Sequence, residues 1–595
     1  MSPKSGYLMM GLSLLLCGTT TAQTTERVSV SSSGMQANAE SINVSMSGNG
    51  RWVVFRSDAS NLVAGDAIGS SDVFVRDRAN GTTELADVDS NGQPGNQGGI
   101  DCSISSDGRY VAFGSQSTNL VPGSTNGFEQ VYVHDRWTGA TERVSTDSSA
   151  VEADGDCYAI NISPDGRFVA FVSLASNLVP GDTNDLGDVF VHDRQTGMTE
   201  RISVDSNGAE ADMFSAAASF FSADGRYVVF ASFATNLVPG DTNGTEDVFV
   251  RDRLAGTTER VSVGAGGAEQ NGEAEYCSIS GDGRYVAFAS AATNLVPLDT
   301  NGMWDIFVRD RQLGVTTRVS VSSSGVEANG ASYSPRLTPD GRYVAFTSDA
   351  SNFVPGNPSG TTHAFVHDCA TGAIVQADVE GNGGLPDKWV EWAYLSISED
   401  GRQVGFVSGA TNLVQGDSNG FTDVFVHESA PAPGTAYCFG DGSGAPCPCG
   451  NSGSPFRGCQ NSASTGGAWF AATGVASLGN DTLEMTAYGE RSFALTVFFQ
   501  GDVAIAPTFS GDGLRCVGGN LKRLYSGNAS GGVITAPTTN EPSISVRSAA
   551  LGDPIPTGAT RYYHVYYRDP SSTYCPEPPG GTWNVSNALS VVWNP

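Results

Sequence analysis

The sequence predicts an all-β fold: a closed seven-bladed β-propeller followed by a disulfide-stapled β-sandwich. Three observations predict it. A turn of the type Asp-Gly-Arg recurs with its glycine at Gly50, Gly108, Gly166, Gly225, Gly283, Gly341 and Gly401, at spacings of 58, 58, 59, 58, 58 and 60 residues, and self-similarity at a fixed period marks a repeat array. Each period holds short runs rich in Val, Phe and Tyr bounded by Gly, Asn and Asp, which is the composition of strands joined by turns. The last period lacks one strand, and a matching strand stands alone at the other end of the chain.

One unit, Asp224 to Val263, reads DGRYVVFASFATNLVPGDTNGTEDVFVRDRLAGTTERVSV. Arg226–Ser232 and Asp247–Arg253 are the second and third strands, and the alternating Thr258–Val263 is the fourth. The first precedes the turn, most clearly as Cys277–Ser280 and Ala159–Ser163. Asp-Gly suits a tight hairpin between the first two strands. Ala255-Gly256 or Thr196-Gly197 suits a two-residue link between the last two. Four antiparallel strands per period describe a propeller blade. The surplus length lies between the second and third strands. In the seventh repeat the chain runs from Asp423–Glu428 into Pro431 and Pro433, which supply no ladder donors. Thr25–Val30 repeats Thr258–Val263 residue for residue. The N-terminal strand therefore completes the last blade and leaves no edge open.

Ser163-Pro-Asp-Gly-Arg-Phe-Val-Ala-Phe171 and its counterparts resemble the TolB-like, WD40-like (PD40) propeller repeat of bacterial envelope and secreted proteins, over about Glu26 to Glu428. The resemblance implies a fold and leaves activity open, because that family includes binding platforms, protein partners and propellers attached to peptidases. Asp512–Gly519 and Asn587–Trp593 resemble a cysteine-containing C-terminal module of secreted planctomycete-type proteins, with no activity to transfer.

The expected organisation is a signal peptide over 1–22, the propeller over 23–429, a Pro-rich linker over 430–437 and the cysteine-containing β-sandwich over 438–595. Residues 1–22 carry one Lys, an apolar run from Tyr7 to Cys17 and Thr20-Thr21-Ala22, the pattern of a secretory leader cut after Ala22. No other apolar run is long enough to span a bilayer. Secretion, or residence at the cell surface or in the periplasm, follows. Net charge is -31, and removing Lys4 leaves 31 basic against 63 acidic residues. That surface repels nucleic acid and anionic membranes. A polysaccharide or a surface protein is the expected partner.

Of the 11 cysteines, Cys102, Cys157, Cys277 and Cys369 are scattered over blades. Cys102 and Cys157 either pair across neighbouring blades or serve as small buried apolar residues. Cys438, Cys447, Cys449, Cys459, Cys516 and Cys575 follow the linker and read as three disulfides of an exported domain, with zinc on Cys447 and Cys449 as the alternative. Cys516 and Cys575 are expected in the sandwich, the other four in its N-terminal loop.

Because the blades align with one another, residues present in all copies read as scaffold. Asn61, Asn119, Asn177, Asn236, Asn294, Asn352 and Asn412 occur once per blade, each expected to hydrogen-bond loop backbone. Asp182, Asn184 and Asp188 repeat as Asp241, Asn243 and Asp247, as Asp299, Asn301 and Asp305, and as Asp417, Asn419 and Asp423. Oxygen donors on alternate residues of a tight loop suit calcium, the one candidate cofactor, against an Asx turn leading into the third strand. The segments between blades vary most and supply a candidate ligand site of Asp156, Tyr158, Glu275, Tyr276, Tyr333, Trp389, Glu391 and Trp392, with Glu152, Asp154, Glu210, Asp212 and Glu273 nearby. Rings that stack on sugar faces beside acids that accept hydroxyls suit a sugar polymer or a cationic peptide. No H-E-x-x-H or phosphate-loop motif occurs. The expected function is non-catalytic binding, with a polysaccharide-cleaving enzyme using a carboxylate pair, or a calcium-stiffened surface protein, as the alternatives.

Overall fold

The second and third strands of each repeat are apolar on both faces, and the protein buries both faces. Tyr227–Ser232 and Asp247–Asp252 are almost wholly buried, whereas the fourth strand, Thr257–Arg260, alternates buried with accessible residues as an outer strand does. The computed structural model describes residues 24–428 apart from 66–70, 124–125, 355–359 and 381–382, and beyond them 435–437, 447, 459, 468–473, 476–478, 481, 483–490, 493–510, 513–530, 532–538, 541–568 and 583–593.

Seven four-stranded antiparallel sheets follow the seven turns. In six of them the strands are consecutive in sequence. In the seventh, Val390–Ile397, Gln403–Ser408 and Asp423–Glu428 are completed by Thr24–Arg27, paired from Thr24 with Glu428 to Arg27 with Phe425. Each sheet has an aromatic pair across its middle strands, such as Phe230 with Phe249 at 5.7 Å, a pair contributing about 0.5–1.5 kcal/mol beyond its burial. The seven first strands together line one central cavity of about 590 Å³. These repeated sheets are propeller-type.

Three local expectations are corrected. The turn between the first two strands is not a two-residue hairpin. In repeat five the Gly283 amide donates to the Ser280 carbonyl, while Asp282 accepts from both the Ser280 hydroxyl and the Arg284 amide. The third and fourth strands are joined by residues 253–256, with the Gly256 amide on the Asp252 carbonyl. The fourth strand ends at Arg260, because the chain then turns and Val263 bridges Glu269.

Neighbouring sheets share a repeated seam at the turn end. The aromatic after each arginine lies beneath the next repeat's glycine. An added Cβ on Gly108 would fall on the Trp52 indole, and the same relation joins Gly225 to Phe168 and Gly401 to Tyr343. Arg51 stacks 4.6 Å and Arg136 3.9 Å from the Trp52 ring centre, the favourable geometry for a cation over a ring face. Arg51 also holds Asp77 through two hydrogen bonds of 2.9 and 2.7 Å, which lowers the Asp77 carboxyl to about 2. Where the last repeat meets the first, Gln403 replaces the aromatic under Gly50 and accepts Arg78 at 2.5 Å.

Backbone bonds tie the turns together around the cavity floor. Glu399 donates to Gly48, Gly48 to Ser106 and Ser106 to Pro164; Ala223 donates to Gly281 and Gly281 to Pro339. The series breaks after Pro164 and Pro339, which have no N–H to donate.

The asparagines bond backbone in every repeat, as Asn236 does on Glu210 and Asn294 on Glu269, at 2.8 Å each. Cys102 and Cys157 are buried thiols and are not bonded to one another; the Cys157 thiol lies 3.2 Å from the Ser173 hydroxyl.

In the C-terminal region, strands Leu495–Gly501, Lys522–Asn528, Thr560–Arg568 and Ala588–Val592 share one sheet with Thr435–Tyr437. A smaller sheet of Trp469–Thr473, Glu484–Tyr488 and Ile534–Ala536 packs with it around Phe470, Met485, Phe498, Tyr563 and Trp593. Ser543–Ser548 alternates polar and apolar residues as a strand does, yet it forms a helix, Ile544–Ala550. Ile544 and Ser548, four apart, are its buried face, and the Ser545 amide donates to Asp481 at 2.6 Å. A carboxylate from another segment thus serves one of the open donors of the first turn. Cys447 and Cys459 form a disulfide, which takes Cys447 out of the zinc alternative. Cys516 is also disulfide-bonded. Cys438, Cys449 and Cys575, the leader over 1–22 and most of the linker lie outside the described residues. Among the described residues no helix is long and apolar enough to cross a membrane.

Candidate functional site

The end of the cavity opposite the turns is shaped by an irregularity in the first strands. Their pairing with the second strands shifts register, as between Glu275 and Ser278 or Tyr333 and Arg336. At these bulges Asn43, Asp101, Ala159, Tyr276 and Ser334 take positive φ. A bulge re-aims a side chain, and for an aromatic residue such as Tyr276, at φ 49°, the conformation is costly and marks a position the surroundings enforce.

The re-aimed rings meet. Tyr276 lies 5.6 Å from Trp392, Tyr333 lies 6.3 Å from Trp392, and Trp304 lies 6.2 Å from Tyr333. Trp392 remains 47% exposed and Trp389 53%. Thr347 donates to the Trp392 carbonyl, and Ser408 to that of Trp389, so both backbones are fixed. Glu391 is half-buried between them in sequence. Burial, then Glu275 and Glu246, push the Tyr276 hydroxyl up.

Asp156 and Tyr158 belong to another part of the rim. Asp156 accepts the Glu129 amide at 2.8 Å, and the Tyr158 hydroxyl faces Gly187 beside Phe214. Four of the other acids expected at the mouth are used elsewhere. Glu152 pairs with Arg143 and Glu210 with Arg201. Asp154 and Asp212 bond the loops at Ser176 and Thr235.

Four residues at the rim were missed: Glu129, Glu246, Trp304 and Asp101. The first three occupy one position, immediately before the third strand, filled across the repeats by Ser71, Glu129, Gly187, Glu246, Trp304, Thr362 and Thr422. That variability beside an invariant strand was the available signal. Burial, then Glu275 and Glu273, push Glu246 up to about 8. Burial, then Asp101 and Asp156, push Glu129 up to about 8, with Arg56 opposing. Burial and Glu273 raise Glu275 to about 7.

The loops expected to hold calcium are built differently. In each, an arginine occupies the space between the two carboxylates. Arg260 lies 3.1 Å from Asp241 and 3.2 Å from Asp247. Arg318 does the same for Asp299 and Asp305, Arg201 for Asp182 and Asp188, and Arg27 for Asp417 and Asp423. The asparagines turn their amide nitrogens to the second aspartate, 2.9 Å for Asn243 to Asp247, 2.8 Å for Asn301 to Asp305, 3.3 Å for Asn184 to Asp188 and 2.9 Å for Asn419 to Asp423. Their oxygens face backbone amides instead, as Asn243 does Thr245. The cation is a guanidinium, and among the described residues no group of three or more His, Cys, Asp or Glu is placed for a metal. In repeat six His363 and Asp378 substitute, at 2.7 Å. Chelator is therefore expected to leave the melting temperature unchanged, while Arg260→Ala costs about 3–5 kcal/mol by stranding Asp241 and Asp247. A chelator-induced loss of melting temperature that calcium restores would overturn this assignment.

No family model matches the chain, and no curated protein matches it. Among solved structures it is similar to a putative TolB from Agrobacterium tumefaciens, at 16% identity over 58% of this chain and 94% of that chain, with a TM-score of 0.32. It is similar to the β-propeller domain of the Trilobed protease from Pyrococcus furiosus, at 11% identity over 65% and 95%, with a TM-score of 0.42. An oligogalacturonate lyase in complex with manganese is 13% identical over 70% and 95%, with a TM-score of 0.42. By its repeated four-strand sheets the chain is a propeller-type protein, and its likeness to these structures is one of fold.

Proposed function

We propose that the seven sheets close as one seven-bladed ring spanning 23–429, exported by cleavage after Ala22, and that its open mouth binds a glycan without cleaving it. Residues 438–595 form a separate stapled β-domain in this reading. The observation that carries it is the meeting of Tyr276, Tyr333 and Trp392 at the rim, with Trp392 and Trp389 still exposed. Exposed indoles beside rigid phenols offer flat apolar faces at low entropic cost, and carboxylates beside them accept hydroxyls. Pairing of Thr24–Arg27 with Asp423–Glu428 and the run of backbone bonds around the floor support the closed ring.

The test is depletion of the mature protein from solution by a panel of insoluble polysaccharides, with reducing ends assayed in the same tubes. Depletion without new ends is expected, and Trp392→Ala is expected to weaken it roughly tenfold or more, as truncating a central aromatic anchor does. New reducing ends would replace the reading with a carboxylate-pair hydrolase. No depletion across the panel would sink it.

A further inference from the structure

We propose that the rim formed by Glu246, Glu275, Tyr276 and Trp392 recognises a protonated amino sugar, so that the bound glycan carries free ammonium groups. The inference rests on the glycan reading above and names its chemical class.

Glu246 is the observation that carries it. It sits in the seam between two sheets, its carbonyl held by the Gln270 side chain at 2.8 Å and by the Ala274 amide. Only 6% of the residue is exposed, and among the described residues no hydrogen bond reaches its carboxyl. The charges acting most strongly on it are carboxylates, Glu275 and Glu273 of the next repeat and its neighbour Asp247. A carboxylate buried among carboxylates is costly without a cation. At the equivalent position in repeat two, Glu129 is likewise pushed up to about 8, with Arg56 only opposing the shift. Two residues beyond Ala274, whose amide bonds the Glu246 carbonyl, stands Tyr276, and its ring meets that of Trp392.

Those rings have the right electrostatics. Tyr276 feels both Glu275 and Glu246. Its ring meets Trp392 edge to face, 77° between planes. Ring faces attract an ammonium group, most of all where it is partly desolvated. Carboxylates supply the counter-charge and aromatic faces hold the sugar ring. Acetylation of the amine removes the charge and leaves only stacking. Burial raises the Glu246 carboxyl to about 8 in the free protein, and an arriving ammonium group would favour its charged form.

The experiment is calorimetric titration of the mature full-length protein with glucosamine hexamers and N-acetylglucosamine hexamers at one mildly acid pH and physiological salt, which screens the long-range attraction of the net negative surface. The free-amine hexamer is expected to bind at least tenfold more tightly. Glu246→Gln is expected to erase that preference, and Trp392→Ala to weaken both ligands. Glu246→Gln removes an unbonded buried carboxyl, so its melting temperature is expected to hold or rise, which separates lost recognition from lost folding. Equal affinity for the two hexamers, or a preference that survives Glu246→Gln, overturns the ammonium site and leaves the glycan reading standing. Binding of neither hexamer, with capture of oligolysine instead, overturns both.

Discussion

Replacing Gly108 by alanine is expected to destabilise the protein by about 2–5 kcal/mol, the sum of a left-handed backbone penalty of about 1–2 kcal/mol and an overpacking cost of about 1–3 kcal/mol. Gly108 has φ +74°, and its missing Cβ is where the Trp52 indole lies. The ring cannot retreat. Arg51 and Arg136 flank it, and Arg136 is itself bonded to the Gly108 carbonyl and to Glu84. Gly92→Ala is the control, because Gly92 has φ +77° with nothing within 4 Å. It is expected to lose only the backbone share. Denaturant unfolding of both variants separates the two costs, and equal losses would show that the seam contact contributes nothing. Trp52→Leu in the Gly108→Ala background is expected to recover part of the difference.

Removing the cation that joins the first strand to the last repeat is expected to cost about as much. Arg27 lies 2.8 Å from Asp417 and 3.2 Å from Asp423, with both carboxylates nearly inaccessible. Arg27→Ala strands them at a cost of about 3–5 kcal/mol. Deleting residues 24–30 goes further. It removes the ladder from Thr24 to Arg27, the Ser29 hydroxyl on Asp423 at 2.6 Å, and Val28 from the core between the first and seventh sheets. The exposed edge of Asp423–Glu428 then becomes a template for another chain. Loss of cooperative melting and self-association on size exclusion are expected. A truncated protein that melts as the intact one does, and remains monomeric, would show that the terminal strand does not hold the seventh sheet.

Much of this fold is legible locally. The strand runs, the loop asparagines and the strand missing from the last repeat each depend on residues close in sequence or on an identical segment elsewhere in it. The arginine that sits between each pair of loop carboxylates was not legible for a related reason. Oxygen spacing within one loop says nothing of Arg260, which stands on the fourth strand and meets Asp241 only once that strand has folded back beside the third. Ser543–Ser548 alternates like a strand, yet Asp481, far off in sequence, caps it as a helix. At the rim, the aromatic residues Tyr276, Tyr333 and Trp392 were identified from sequence variability, but their meeting, and the recruitment of Trp304, depend on bulges no residue pattern announces.

The sequence by itself determined the period, the number of repeats, the strand order and the unmatched strands at the two ends, because turn chemistry and apolar patterning act over a few residues. Only the tertiary structure decided which charges are buried together. Glu246 and Glu129 hold the same position in their repeats, and the carboxylates acting on each come from elsewhere in the fold, Glu275 and Glu273 on Glu246 and Asp101 and Asp156 on Glu129. Desolvation and Coulomb interactions depend on distance in space, which a linear sequence does not carry.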